Sequence, residues 1–330
     1  MKAIVHEGVS GIKGLRLREI NDTSPGPGEV KIRIRAAGLN HRDLFLMDSR
    51  SQTDEPLIIG SDGAGVVDAV GEGVTELATG TEVIINPSLN WPITDEVPRH
   101  LAIVGGPSPG TFAEYITVPA HNALPKPRYL SWEEAGGLPL SALTAYRLLF
   151  TKGGLQSGQH VFIPGIGGGV ATYAMMMARA AGATVTVSSR SEYKRNKALQ
   201  HGAHYAVDSA GDWSAAWNGD RADLILDSIG PATFHKYWDI VKPNGRIVVF
   251  GASSGDHLTI PMRALFFPQI NVLGSSMGSS EEFRAMLQFM ESHQLRPIVD
   301  STFPLQEAAR AVARMQLGEQ YGNIVLTVNE

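Results

Sequence analysis

The stretch His160-Val161-Phe162-Ile163-Pro164-Gly165-Ile166-Gly167-Gly168-Gly169-Val170-Ala171 decides how the chain folds. Its apolar start reads as a buried parallel strand and its glycines as a tight turn. Residues 170–181, rich in Ala and Met and closed by Gly182, read as a helix. Such a strand, turn and helix start offer free backbone N–H groups and the positive end of a helix dipole to an anion. A dinucleotide pyrophosphate suits that geometry, because a side chain at the turn blocks its approach to the backbone. Gly165, Gly168 and Ala171 fill the three spacing positions of the dinucleotide fingerprint, and Gly167, Gly169 and Val170 complete the cofactor-binding loop and helix start. An ordinary strand–helix turn is the plainer alternative, and the flanking pattern argues against it.

Downstream, apolar strands at 161–163, 184–187, 205–207, 224–226 and 247–250 alternate with helical stretches, which predicts an α/β fold with a doubly wound parallel sheet. A sixth strand, Ile270-Asn271-Val272-Leu273, follows Pro268, and then a helix from Ser280 to about His293 with two glutamates in its first turn. The tail from Arg296 holds one more amphipathic helix and a last strand, 324–328, which has no place left in the parallel sheet and is expected to return to the N-terminal domain. Upstream, residues 1–118 are short strands punctuated by Gly and Pro, among them the alternating run Val30-Lys31-Ile32-Arg33-Ile34-Arg35. That pattern predicts a β-rich, barrel-like domain. Residues 86–110 read as a long irregular lobe. Near Pro119 the character changes, and Ser131-Trp132-Glu133-Glu134 has capping-box spacing for a helix running to about Phe150. The expected organisation is therefore a β-rich domain over 1–122, a dinucleotide-binding domain over 123–293, and a return to the first domain over 294–330.

At 330 residues the chain is long enough for two cores, and its 43% apolar, 18% charged composition is that of a globular protein. A net charge of −5 gives no reason to expect nucleic acid or an anionic membrane as partner. No apolar run approaches spanning length and the N-terminus lacks a signal-peptide core, so a cytoplasmic location is expected. With no cysteine, disulfides and thiolate metal ligands are excluded.

Several further segments resemble, in order and spacing, the medium-chain dehydrogenase/reductase superfamily. They are Pro25-Gly26-Pro27-Gly28-Glu29-Val30, Ala36-Ala37-Gly38-Leu39-Asn40-His41-Arg42-Asp43 and Gly60-Ser61-Asp62-Gly63-Ala64-Gly65, then Gly110-Thr111-Phe112-Ala113-Glu114-Tyr115, Leu143-Thr144-Ala145-Tyr146 and Gly322-Asn323-Ile324-Val325-Leu326. The resemblance covers nearly the whole chain and implies a GroES-like catalytic domain beside a Rossmann domain. Many members hold a catalytic zinc through a cysteine, a histidine with an adjacent glutamate, and a second cysteine or histidine. Here Asn40 stands at the first position, Ser61-Asp62 replaces the histidine–glutamate pair, and Leu140 falls at the last. An amide, a hydroxyl and an isobutyl group do not make a tight zinc site, so no metal is expected. His41 with Asp43 and Asp62 is a conceivable substitute set, but a partly buried, hydrogen-bonded histidine is the simpler expectation. The chain thus resembles the zinc-independent, quinone-oxidoreductase-like branch, whose members are NADPH-dependent.

Cofactor choice has its own signal. In NAD sites an acidic residue about 20 residues past the glycines holds the ribose 2′-OH. Here that place reads Ser188-Ser189-Arg190-Ser191, with Lys194 following. Hydroxyls and cations suit a 2′-phosphate, so NADP(H) is expected; a solvated helix start is the alternative. By resemblance and position, Thr144, Gly251-Ala252-Ser253, Ser275, Ser276 and Asn323 are further cofactor contacts; Tyr205 and Asp227 are weaker candidates, the aspartate being equally a helix cap.

Without a metal there is no Lewis acid to polarise a plain carbonyl, and no Tyr-x-x-x-Lys pair is expected in the dinucleotide-binding half to replace it as a general acid. A small, electrophilic, conjugated acceptor is therefore expected: a quinone or an α,β-unsaturated carbonyl compound. Asn40 could hydrogen-bond the developing oxyanion or hold the cofactor carboxamide, and His41 or solvent could supply the proton. Asp43 reads as a helix-start contact, and Trp91, Phe267 and Met277 as candidate pocket walls. The alternatives are an enoyl-thioester reductase, or a nucleotide-binding protein with a structural or RNA-associated role. An apolar sixth strand at a sheet edge predicts a homodimer through 270–273.

Overall fold

In the computed structural model, which describes residues 1–213, 217 and 220–328, the strand His160–Pro164 is wholly buried near the middle of a six-stranded parallel sheet. Thr184–Ser189 and then Tyr205–Asp208 flank it on one side. Ala222–Asp227, Val241–Val249 and Asn271–Gly274 follow on the other. The order therefore reverses between His160–Pro164 and Ala222–Asp227, the switch point where open α/β sheets leave room for a ligand beyond the strand ends. All six expected strands are present, and the sixth is one of the two edge strands, the other being Tyr205–Asp208. On one face Phe162 packs against Trp213, Trp217 and Tyr237, with ring centroids 4.9, 5.7 and 6.4 Å away. Edge-to-face aromatic packing of this kind anchors the central strand beneath its turn.

A second sheet is organised by Glu29–Gly38, whose residues alternate in burial so that Val30, Ile32, Ile34 and Ala36 point inward. Ala64–Val70 pairs antiparallel along one edge, and Tyr115–Pro119 and Asn323–Thr327 share the other. The last strand returns to this sheet as expected. The parallel neighbour of Asn323–Thr327, Val299–Pro304, is a strand that the sequence does not announce: it mixes polar and apolar residues and none of them is fully buried.

The single helix expected from Ser131 to about Phe150 is instead broken into Trp132–Gly136 and Pro139–Tyr146, followed by a wider π turn, Arg147–Lys152. The cause lies in Gly136, Gly137 and Pro139. A Cβ on Gly136 would lie 2.6 Å from the Ala36 Cβ, so only glycine lets this helix end touch the strand, and proline then restarts the backbone. Residues 123–143 are held against the second sheet by this contact. The chain accordingly divides into Met1–Leu143 with Gly278–Glu330, and Thr144–Met277. These divisions fall at 143/144 and 277/278, whereas the change in sequence pattern places them at 122/123 and 293/294. At the second one, helix Ser280–Ser292 is tied to the 86–110 lobe: Ser280 N donates to Trp91 O at 2.8 Å, Asn86 Nδ2 to Ser280 Oγ at 3.1 Å and Thr94 N to Glu281 at 2.9 Å. Among the described residues no helix is long and apolar enough to cross a membrane.

Candidate active site

Beyond His160–Pro164 the chain turns through Gly165 at φ +74° and Gly167 at φ +135°, backbone states that L side chains rarely adopt. Gly168 is the N-cap of helix Gly169–Ala180 and carries no side-chain cap. The first-turn N–H groups therefore have no carboxylate or hydroxyl of their own, which is the arrangement an incoming phosphate requires. Lys194 lies over this turn: a Cβ on Gly167 would be 2.7 Å from its Cδ and 2.9 Å from its Nζ. Its ammonium is thus brought to the glycine turn, while the sequence grouped it with the ribose contacts.

The rest of that expected group is divided by burial. Ser188 is fully buried and its hydroxyl accepts from Ser209 Oγ at 3.2 Å, so it belongs to the floor of the strand tip. Ser189 is buried too, and accepts from Ser191 N at 3.1 Å. Arg190 is exposed at the tip itself. Asp208, the register partner of Ser189, is paired with Arg195 at 3.1 Å, and Arg195 also donates to Ser189 O at 2.6 Å. The sequence reading missed Arg195, which offsets the carboxylate nearest in register.

Gly251-Ala252-Ser253 follow Val241–Val249, and Ser275 and Ser276 follow Asn271–Gly274, so both segments lie at the same carboxyl edge of the sheet as the glycine turn. Ser275 Oγ is buried and has no hydrogen-bond partner among the described residues, an orphan donor of the kind a ligand satisfies. Thr144 is buried and opens this unit, whereas Asn323 is the buried first residue of a strand in the other. Asp227 does not cap helix Pro231–Phe234, whose N-cap is Gly230; it fastens the turn before it, accepting from the N–H groups of Ile229 and Gly230, and also accepts from Tyr237 at 2.7 Å. Tyr205 is exposed. Tyr193 and Lys197 do have the spacing of a Tyr–Lys acid pair, against the expectation that none occurs in this half of the chain. The phenol is exposed and its ring carries the Lys197 ammonium 5.9 Å from the centroid, a surface cation–π contact.

The other candidate site is made of side chains. Asn40 ends the extended run after Glu29–Gly38 and is the N-cap of helix His41–Ser49. Its Nδ2 donates to Asp62 Oδ2 at 2.8 Å, and its Oδ1 accepts from Ser141 Oγ at 2.9 Å. Its backbone N–H donates to Asp43 Oδ2 at 2.8 Å, completing a capping box. Asp43 is therefore the helix-start contact expected of it, although its Oδ1 is buried without a partner among the described residues. Asp62 Oδ1 accepts from Leu140 N at 2.8 Å, and Thr111 Oγ1 donates to Asp62 O at 2.7 Å. Ser61 accepts from the Arg42 guanidinium at 2.6 Å.

Both carboxyls are fully buried, and that burial raises them. Asp62 is pushed up to about 7, against the opposing Asn40 amide and Leu140 N–H and with help from the Asp43 charge. Asp43 is pushed up to about 6, against the Asn40 N–H and the Arg42 charge. His41 is exposed at the first helical position, not the partly buried histidine expected. A zinc ion does not fit this donor set. The Asn40 oxygen is engaged by Ser141, the Ser61 hydroxyl faces a guanidinium, and Leu140 offers no side-chain donor at all. Among the described residues no three of His, Asp and Glu are grouped to hold a metal. Of the candidate pocket walls, Trp91 is buried with Nε1 donating to Ile93 O at 2.8 Å, Met277 is buried, and Phe267 is 72% exposed beside the sheet edge. Ser141 was not singled out in the sequence; its helix position, one after Leu140, was the only signal.

Comparison with known proteins gives the family. Residues 26–128 match the alcohol dehydrogenase GroES-like domain and residues 169–292 the zinc-binding dehydrogenase domain. A zinc-type alcohol dehydrogenase-like protein of Leptosphaeria maculans is 31% identical, over 95% of this chain and 94% of its own. A quinone oxidoreductase of Pseudomonas aeruginosa is 28% identical, over 98% of this chain and 99% of its own. A solved structure described as an NAD-dependent alcohol dehydrogenase superposes with a TM-score of 0.92 at 34% identity, each chain covered completely.

Proposed function

This chain belongs to the medium-chain dehydrogenase/reductase superfamily, and from that premise we propose that it is an NADPH-dependent, metal-independent reductase of quinones or α,β-unsaturated carbonyl compounds. The observation that carries the reading is the chemistry at positions 40, 61 and 140: a buried amide, a hydroxyl on a guanidinium and an aliphatic side chain where zinc-type members place ligands. Bound NADPH supplies a hydride. The chain's own residues bind and orient: the Gly165–Gly169 turn and Lys194 take the pyrophosphate, and Arg190 takes the 2′-phosphate. Conjugation carries the incoming charge to the acceptor oxygen, where the Asn40 amide N–H stabilises it, and solvent or the exposed His41 returns a proton. One hydride and one proton thus reduce the acceptor by two electrons.

The exposed Met262, Phe266 and Phe267 beside the edge strand Asn271–Gly274 support self-association through that edge. Sedimentation at micromolar concentration should show a dimer; a monomer there would remove that part of the reading. The function is tested by following NADPH and NADH oxidation with a panel of benzoquinones, enones, enoyl thioesters and simple aldehydes. Turnover with the quinones or enones, faster with NADPH, is expected. Activity confined to enoyl thioesters would favour that narrower substrate class. No turnover with any acceptor despite NADPH binding would favour a non-enzymatic nucleotide-binding role.

A further inference from the structure

Asn40 has two donors and one acceptor on its side chain, and what it offers a ligand depends on which way round its amide sits. The surrounding hydrogen bonds decide this. Leu140 N–H is a backbone donor that must point at Asp62 Oδ1, so the carboxylate presents its other oxygen to Asn40. With Asp62 ionised, only Nδ2 can face its oxygen, and Oδ1 is then turned to Ser141, whose hydroxyl rotates to donate. One Nδ2 proton remains without a partner among the described residues, on a side chain only 5% exposed.

We propose that Asp62 and Ser141 are positioning residues, which clamp the Asn40 amide in the one orientation that leaves a single, fixed N–H donor for the acceptor oxygen. This deepens the reading of Asn40 as oxyanion donor and rests on it. The clamp takes over the ground that a metal and its ligands occupy in zinc-type members: a carboxyl on one side, a hydroxyl on the other, and an amide N–H between them as electrophile.

The two sides of the clamp respond differently to substitution. In Asp62→Asn the new amide must give its oxygen to Leu140 N–H, so its NH2 group faces Asn40. The Asn40 amide must then turn over, its oxygen toward position 62 and its NH2 toward Ser141, which can accept. Every hydrogen bond is kept, a buried ionisable group is removed, and only the orientation changes. In Ser141→Ala the amide loses the hydroxyl that holds its oxygen, but Asp62 still fixes its NH2.

The test measures kcat, KM and NADPH dissociation constant, with an enone as acceptor, for Asn40→Ala, Asp62→Asn, Ser141→Ala and the Asn40→Ala/Asp62→Asn pair, with thermal midpoints alongside. Asp62→Asn should lose roughly 10–100-fold in kcat, the scale of a lost oriented donor, with its thermal midpoint not lowered and NADPH affinity within about threefold. Ser141→Ala should lose less, roughly 3–10-fold, and Asp62→Asn should cost nothing further when Asn40 is already alanine. Wild-type kcat in Asp62→Asn while Asn40→Ala is impaired would overturn the clamp and leave the Asn40 reading standing. Wild-type kcat in Asn40→Ala would overturn both. Should Asp62→Asn fail to fold, Ser141→Ala decides, and an unchanged kcat there would sink the proposal.

Discussion

The two candidate sites are built from different materials. The Gly165–Gly169 turn is backbone: positive φ values, an uncapped helix start and a missing set of Cβ atoms. The Asn40 site is side chain: an amide, two buried carboxyls and a serine hydroxyl around a helix N-cap. A backbone site can be altered only by changing the fold, so its ligand class persists across a superfamily. A side-chain site can exchange its chemistry residue by residue while the scaffold stays. The same architecture can therefore keep a dinucleotide site and replace a metal by hydrogen bonds.

The sharpest way to break that contrast is at the turn. Gly167→Val places a β-branched side chain at φ +135° with its Cβ in the volume held by Lys194. NADPH binding should weaken by roughly 100-fold or more, the scale of a strained backbone combined with lost phosphate contacts, as titration of nucleotide fluorescence would show. Substitution at the side-chain site should instead separate chemistry from binding. Asn40→Ala is expected to lower kcat by roughly 10–100-fold while leaving the NADPH dissociation constant near its wild-type value. If both constants moved together, the two sites would not be distinct in function.

At the strand tip, Arg190→Ser should raise KM for NADPH by roughly tenfold and leave NADH unaffected if, as proposed, the guanidinium holds the 2′-phosphate. Equal effects on both cofactors in steady-state rates would remove Arg190 from the specificity set.

The smallest effect expected is on stability. Asp43 and Asp62 have ordinary values near 3.8 and folded values of about 6 and about 7. Below about pH 4 both the folded and unfolded chains hold these protons. Between about 4 and 7 the unfolded chain releases them first, so the stability this pair contributes falls as pH rises and is lost by about pH 7. The groups that face Asp62 in this window are Asn40, Leu140 N–H, Asp43 and Arg42. Thermal midpoints of Asp62→Asn should therefore fall less steeply from pH 4 to 7 than those of the wild type, by a few degrees on the usual scale for a domain of this size. Parallel slopes would show that Asp62 does not carry the buried proton.

The same contrast explains what the sequence made legible. Glycines at 165 and 167 announce the turn because L side chains rarely take those φ values, and period-two burial announces Glu29–Gly38. The broken helix after Ser131 was hidden, because what breaks it is a close approach between Gly136 and Ala36 that local pattern does not encode. Val299–Pro304 was hidden for a related reason: its mixed polar and apolar residues carry no alternation, and its place is set by a strand 20 or so residues later. At the candidate sites, the residue types at positions 40, 61, 62 and 140 were readable from the sequence alone. The orientation of Asn40, the inward turn of Ser188 and the reach of Lys194 to Gly167 were not, because each depends on which side chains the fold brings within hydrogen-bond distance.

The most direct test strips the protein of zinc with a chelator, verifies its metal content, and measures NADPH-dependent turnover of an enone before and after adding zinc back. Undiminished turnover by the metal-stripped protein, with NADPH preferred over NADH, is the result this account predicts. Turnover that disappears with zinc and returns only with it would contradict the claim that hydrogen bonds from Asn40 and its neighbours do the work of a metal here.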